Sequence, residues 1–120
     1  THNYNGHIIG LDLHFKHNSI RILQIYLSTS EKKQLHAKIQ EQIILLCNNS
    51  NYQLIILSDF NSVPNPHQDR NPSKNTSIPE SQILKCLISH QFKDIYRFFF
   101  PTTLNFTFSC STYNSRIDQI

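Results

Sequence analysis

Residues 6–15 read as alternating, with the apolar positions Ile8, Leu11, Leu13 and Phe15 expected on one face, and after a His-Asn-Ser turn the run Ile20-Arg21-Ile22-Leu23-Gln24-Ile25-Tyr26-Leu27 follows. Two strand-like runs around a short polar turn predict a β-hairpin. Ser28-x-x-Glu31 then has the form of a capping box, in which hydroxyl and carboxylate satisfy the free amides of a helix start. Leu35, Ile39, Ile43 and Leu46 recur at spacings of four, four and three, so an amphipathic helix is expected over about 29–47, covering one face of a sheet. Asn48 to Asn51 break that pattern, and Leu54-Ile55-Ile56-Leu57 reads as a strand buried on both faces, with the polar end Ser58-Asp59-Phe60-Asn61. Residues 62–77 read as a loop containing Pro64, Pro66 and Pro72. A second capping box, Ser77-x-x-Glu80, with Pro79 in the first turn, predicts a shorter helix that buries Ile83, Leu84, Leu87 and Ile88. The aromatic segment 92–100, closed by Pro101, predicts a turn of helix and a packing plug. Thr107-Phe108-Ser109 and Arg116-Ile117-Asp118 read as two more strands around a Tyr-Asn turn, and no internal repeat is present.

Strands and helices in this order make an α/β chain. Its 120 residues suffice for about one domain with one modest core. The chain has no Met, begins at Thr1, and ends on the strand-like Ser115-Arg116-Ile117-Asp118-Gln119-Ile120, so we expect a partial domain, 1–120, cut from a longer reading frame. Hydrophobic residues make up 38% and no apolar run approaches the roughly 20 residues of a membrane-spanning helix, so no membrane partner is expected. A net charge of +3, from 11 basic and 8 acidic residues without a dense block, permits an anionic partner and does not by itself argue for one. Cys47, Cys86 and Cys110 are odd in number, widely spaced and set in apolar stretches, which reads as reduced core cysteines of an intracellular protein.

The position with the most chemical promise is Asp59. A carboxylate at the C-terminal edge of a buried α/β strand sits where such folds gather ligands, because the strand fixes the backbone and the loop beyond leaves the side chain in a crevice. Asn61, two residues on, can face the same side and offer an amide donor to a phosphate oxygen. Asp and Asn are equally common as residues that shape a turn leaving a strand.

Three further features accompany that pair: Ile25-Tyr26-Leu27-Ser28 at a strand end, Thr107-Phe108-Ser109, and Ser115-Arg116-Ile117-Asp118. In this order and spacing the chain resembles the endonuclease/exonuclease/phosphatase family, which includes deoxyribonuclease I, apurinic-site repair endonucleases, inositol-polyphosphate phosphatases and the endonucleases of non-LTR retrotransposons. The resemblance implies an α+β fold, the central portion of a four-layer DNase I-like β-sandwich flanked by helices. It also implies metal-dependent phosphodiester hydrolysis, with Mg²⁺ or Mn²⁺ as cofactor. Tyr26 would donate its hydroxyl to the scissile phosphate, and Asp59 would orient or deprotonate the attacking water and serve as the main metal ligand. Asn61 would hold Asp59 and the phosphate, and Asp118 would orient a histidine that contacts the phosphate. Departures are Ser58, where the family has Gly, and Gln119, where it has an aromatic residue. The family's metal-binding Asn and Glu would precede Thr1 and its Ser-Asp-His would follow Ile120, so we expect weak metal binding and no activity from this chain alone. Asp69-Arg70, about ten residues past the motif, looks like the retrotransposon pattern and reads as a local ion pair or loop brace. The nearest reading is therefore a nucleic-acid endonuclease of mobile-element descent, acting on DNA. The alternatives are a non-catalytic remnant that binds nucleic acid or a protein, and an inositol- or lipid-phosphatase-type phosphoesterase. None of the seven histidines stands in a family motif.

Overall fold

The computed structural model describes residues 2–4, 6–28, 33–48, 51–71 and 81–120. They fall into two compact units, Thr1–Ser58 and Asp59–Ile120. The first contains β1 (His2–Tyr4), β2 (Ile8–His14), β3 (Ser19–Tyr26), α1 (Lys33–Cys47) and most of β4 (Gln53–Asp59). Its strands lie in the order β1-β2-β3-β4, giving a mixed α/β architecture. The expected hairpin forms: β2 and β3 pair antiparallel from Ile8↔Ile25 to His14↔Ser19, and the Phe15 amide donates to Asn18 across the turn at 2.8 Å.

Which face of the hairpin is buried differs from the expectation. Ile8 and Gly10 on β2 and Leu23 and Ile25 on β3 point inward, whereas Leu11 and Phe15 are 46% and 56% exposed. Residues 8 and 11 differ by an odd number, so a strand cannot bury both on one side. In phase with the buried set are Asp12 and Arg21, which are register partners across the ladder. Arg21 Nε and Nη2 donate to the two Asp12 carboxylate oxygens at 2.6 and 2.7 Å, and Nη1 donates to the Leu46 carbonyl at 3.0 Å. The guanidinium also lies 4.3 Å from the centre of the Tyr52 ring. One buried cation thus holds the hairpin, satisfies a carbonyl in the last turn of α1 and packs against the approach to β4. The Asp12 carboxylate holds the Arg21 pKa above its ordinary value despite burial.

On α1, Ile39 and Ile43 are buried, while Leu35 and Leu46 are half-buried, so the four-residue spacing faces the core as expected. The expected cap at Ser28-x-x-Glu31 depends on Glu31, which lies outside the described residues, as do 29–32 altogether. Ile8, Leu23, Ile25, Leu27 and Ile56 complete the apolar core of this unit.

The second unit contains α2 (Pro66–Asp69), β5 (Arg70–Asn71), α3 (Gln82–Ser89), α4 (Ile95–Phe99), β6 (Phe108–Ser109), β7 (Asn114–Ser115) and β8 (Asp118–Gln119). β7 pairs antiparallel with both β5 and β6, placing Arg70, Ser115 and Phe108 side by side. The expected loop over 62–77 therefore contains a short helix. Asn65 caps α2 by accepting from the His67 amide at 3.1 Å, and Pro66 sits in its first turn. For α3 the cap is Ser81, whose hydroxyl accepts from the Leu84 amide at 3.2 Å; Ser77-x-x-Glu80 lies outside the described residues. Ile83, Leu84 and Leu87 are buried as expected, but Ile88 is 61% exposed. The aromatic segment is not a plug: α4 buries no residue, and Phe98 and Phe99 pack edge-on against each other instead of entering a core. The terminal strand-like stretch is split into β7 and β8, because Arg116 is turned into a buried ionic network described below.

Replacing Ile39 with Ala should cost about 2–5 kcal/mol, the range for a buried aliphatic side chain that leaves a cavity. Urea denaturation measures the loss, and an unchanged near-UV circular dichroism spectrum separates a lost contact from a core that was already loose.

Candidate functional site

Phe60 is the pivot of the candidate site. Its side chain is buried, and its amide donates to the Ile117 carbonyl at 3.1 Å, so the residues on either side of that bond, Asp59 and Asp118, come together. Asp59 closes β4, alternating with the buried Ser58, and is itself half-buried. Its Oδ1 accepts from the Asn61 amide at 2.9 Å, an Asx-type turn for which Asn61 adopts a left-handed φ of 47°. Asn tolerates that conformation better than most residues, so the sequence Asp-Phe-Asn suits the turn as well as the chemistry.

On the other side of the pivot, the Thr107 hydroxyl accepts from both the Ile117 and Asp118 amides at 3.2 Å, and the Thr107 amide donates to the Ser115 carbonyl at 3.0 Å. Thr107 entered the sequence reading only as part of a three-residue phrase; its work here is to fix the backbone that carries Asp118. Burial pushes the Asp59 carboxyl above its ordinary pKa, the Asn61 amide pulls it partly back, and the neighbouring Asp118 carboxylate raises it further. Asp118 is exposed. Of the four residues singled out from sequence, Asp59, Asn61 and Asp118 are thus brought together. Tyr26 belongs to the first unit, where it closes β3 with its side chain 50% exposed and its amide bonded to the His7 carbonyl at 2.9 Å.

Asp69-Arg70 is a brace, but not a local ion pair. Asp69, with no exposed surface, bonds Arg97 and Arg116, while Arg70 lies 4.1 Å above the Tyr113 ring. The Arg97 and Arg116 guanidiniums are both engaged there. Burial would lower the Arg116 pKa, but its bonds to Asp69 and Asp94 outweigh this and hold it above the ordinary value. The sequence reading missed Asp94 and the pairing of Arg97 with Asp69. Asp94 caps α4 by accepting from the Arg97 amide at 3.1 Å, and an Asp directly before an apolar helical turn was the available signal.

The cysteines are free, as expected, but none is a core residue: Cys47 and Cys86 are half-buried and Cys110 is exposed in the β6–β7 turn. Among the described residues no three His, Cys, Asp or Glu side chains gather as a metal-binding group, and no helix is long and apolar enough to cross a membrane. The donors at the site are carboxylate oxygens, the type a hard divalent cation takes when water and substrate phosphate complete its shell. No protein-family model matches the chain, and no curated protein matches it in sequence.

A folded-state pKa above the unfolded value means the folded chain binds a proton more readily between those two values. Stability is therefore lost as pH rises through that window and stays lower above it. Asp59→Asn keeps an oxygen for the Asn61 amide and removes the charge. It should be more stable than the parent chain at pH 7, and the difference should vanish below the ordinary aspartate pKa of about 3.9. Paired thermal melts across pH measure this; a variant no more stable at pH 7 would contradict the burial of an ionised Asp59.

Proposed function

We propose that this chain carries part of the active site of a metal-dependent phosphodiesterase acting on nucleic acid, an endonuclease-like hydrolase of DNA of the mobile-element type. The observation that carries the reading is the meeting of Asp59, Asn61 and Asp118 around one backbone bond, with the Asp59 carboxyl held above its ordinary pKa. A raised carboxyl pKa suits a group that must take a proton from water. The four-stranded and three-stranded assemblies with their helices are what the central portion of a DNase I-like four-layer sandwich would contribute. Three free thiols suit an intracellular setting.

In this reading Asp59 orients the attacking water and accepts its proton. The Asn61 side-chain amide faces the charge that builds on the phosphoryl oxygens, while its backbone amide keeps Asp59 aligned. Asp118, held by Thr107, would orient a histidine that contacts the phosphate. Mg²⁺ or Mn²⁺, held through Asp59, would supply Lewis-acid stabilisation of the phosphoryl group, and with few protein ligands its binding would be weak.

The 120-residue chain by itself should show no Mg²⁺-dependent cleavage of plasmid DNA above a buffer control. In a domain completed with Asn, Glu and Ser-Asp-His segments taken from a member of the family the chain resembles, cleavage should appear, and Asp59→Ala should lower it by about 10²–10⁴-fold or more. Asn61→Gly, which keeps the left-handed turn and removes only the side chain, should cost about 10²–10³-fold. Asp118→Ala should be milder than Asp59→Ala. Full activity in the Asp59 variant would end the nuclease reading, and equal, modest losses at all three positions would point to a binding groove without chemistry.

A further inference from the structure

Asp69 has no exposed surface and lies outside the candidate site, yet both halves of that site converge on it. Its Oδ1 accepts from Arg97 Nε at 3.2 Å, from Arg97 Nη2, and from Arg116 Nε at 2.9 Å. Its Oδ2 accepts from the Asn65 amide at 3.1 Å, and its carbonyl accepts from the Arg116 amide at 2.8 Å. Arg116 also bonds Asp94, the cap of α4, through Nη2, and the Tyr96 ring lies 5.4 Å from its guanidinium. Asn65 is four residues past Asn61, and Arg116 is two residues before Asp118. One carboxylate therefore ties down both backbone segments from which the site's side chains project.

Stability alone does not account for such a network. Asp69 and Arg116 are buried and Asp94 and Arg97 half-buried, so all four lose hydration, and apolar residues of similar volume commonly fill such a space at no loss of stability. Apolar contacts are also tolerant of sliding, whereas a carboxylate that receives a guanidinium fork and a backbone amide fixes direction as well as distance. We propose that Asp69 is a positioning residue for the candidate site, acting through Arg116 and Asn65 to hold the Phe60–Ile117 bond and so the placement of Asp118 beside Asp59. The proposal rests on the reading of Asp59 and Asp118 as site residues, but its test needs no turnover.

The test is amide hydrogen exchange followed by NMR on the whole chain, comparing the parent with Asp69→Asn. Exchange at the Phe60 amide should speed up about tenfold or more, together with Ile117, while amides inside α3 of the same unit stay within about twofold. Uniform acceleration of α3 and Phe60 would mean that Asp69 only stabilises the unit, and an unchanged Phe60 amide would mean that it does not hold the pivot. Either result overturns the proposal. If Asp69→Asn does not fold, Arg116→Lys decides, because it keeps the positive charge and loses the fork that bridges Asp69 and Asp94. The same selective acceleration is expected of it, and parent-like exchange at Phe60 would again overturn the proposal. An extended domain that proves inactive would count against the nuclease reading and leave this exchange result standing.

Discussion

The hydrogen bond from the Phe60 amide to the Ile117 carbonyl is the constraint on which the second unit's candidate site depends. The buried Phe60 ring fixes one end, and the Thr107 hydroxyl, by accepting the next two amides, fixes the other. Between them, two acidic side chains face a common space, one of them half-buried. This arrangement opposes folding electrostatically, since desolvation and a like charge both disfavour the ionised Asp59. The Asn61 amide offsets part of the cost. Local destabilisation of this kind, retained at the end of a strand, is characteristic of sites that do chemistry.

Both units bury polar side chains as well as apolar ones. Among the described residues the buried apolar side chains of the second unit are Phe60, Ile83, Leu84 and Leu87, and Ser62, Asp69, Ser115 and Arg116 are buried polar residues. In the first unit Arg21 and Asp12 occupy inward positions that an aliphatic pair could fill. In each case an arginine reaches a segment distant in sequence: Arg21 bonds the Leu46 carbonyl, and Arg116 bonds Asp69 and Asp94. A fork of donors specifies which segments meet and at what angle, where a small apolar core would leave several packings close in energy.

Features that repeat along the chain were legible in the sequence. Spacings of four in Ile39 and Ile43 gave α1, the paired runs gave the β2–β3 hairpin, and a short apolar run ending in Ser-Asp gave β4 with Asp59 at its edge, although β4 is not buried on both faces as expected, since Ile55 is 40% exposed. What failed were inferences about which way a side chain points and which distant residue it meets. Ile8 and Leu11 could not share a face, and nothing local says that Asp12 and Arg21 take the inward phase, because a buried ion pair looks like two surface charges until its partner is known. The same holds at the site. The proximity of Asp59 and Asn61 follows from their spacing, but the approach of Asp118 depends on a bond between residues 60 and 117 and on a threonine hydroxyl ten residues upstream. The Phe98 and Phe99 rings, expected to plug a core, stay exposed and pack edge-on against each other.

The central claim is that the Asp59 and Asp118 carboxylates share one space at the end of β4. Carboxyl-carbon NMR titration of Asp59 in the parent chain and in Asp118→Asn tests it most directly. The account predicts an Asp59 midpoint above the ordinary aspartate value in the parent, and a lower but still raised midpoint in the variant, where burial remains and the neighbouring charge is gone. An Asp59 midpoint that does not move when Asp118 is neutralised would contradict it.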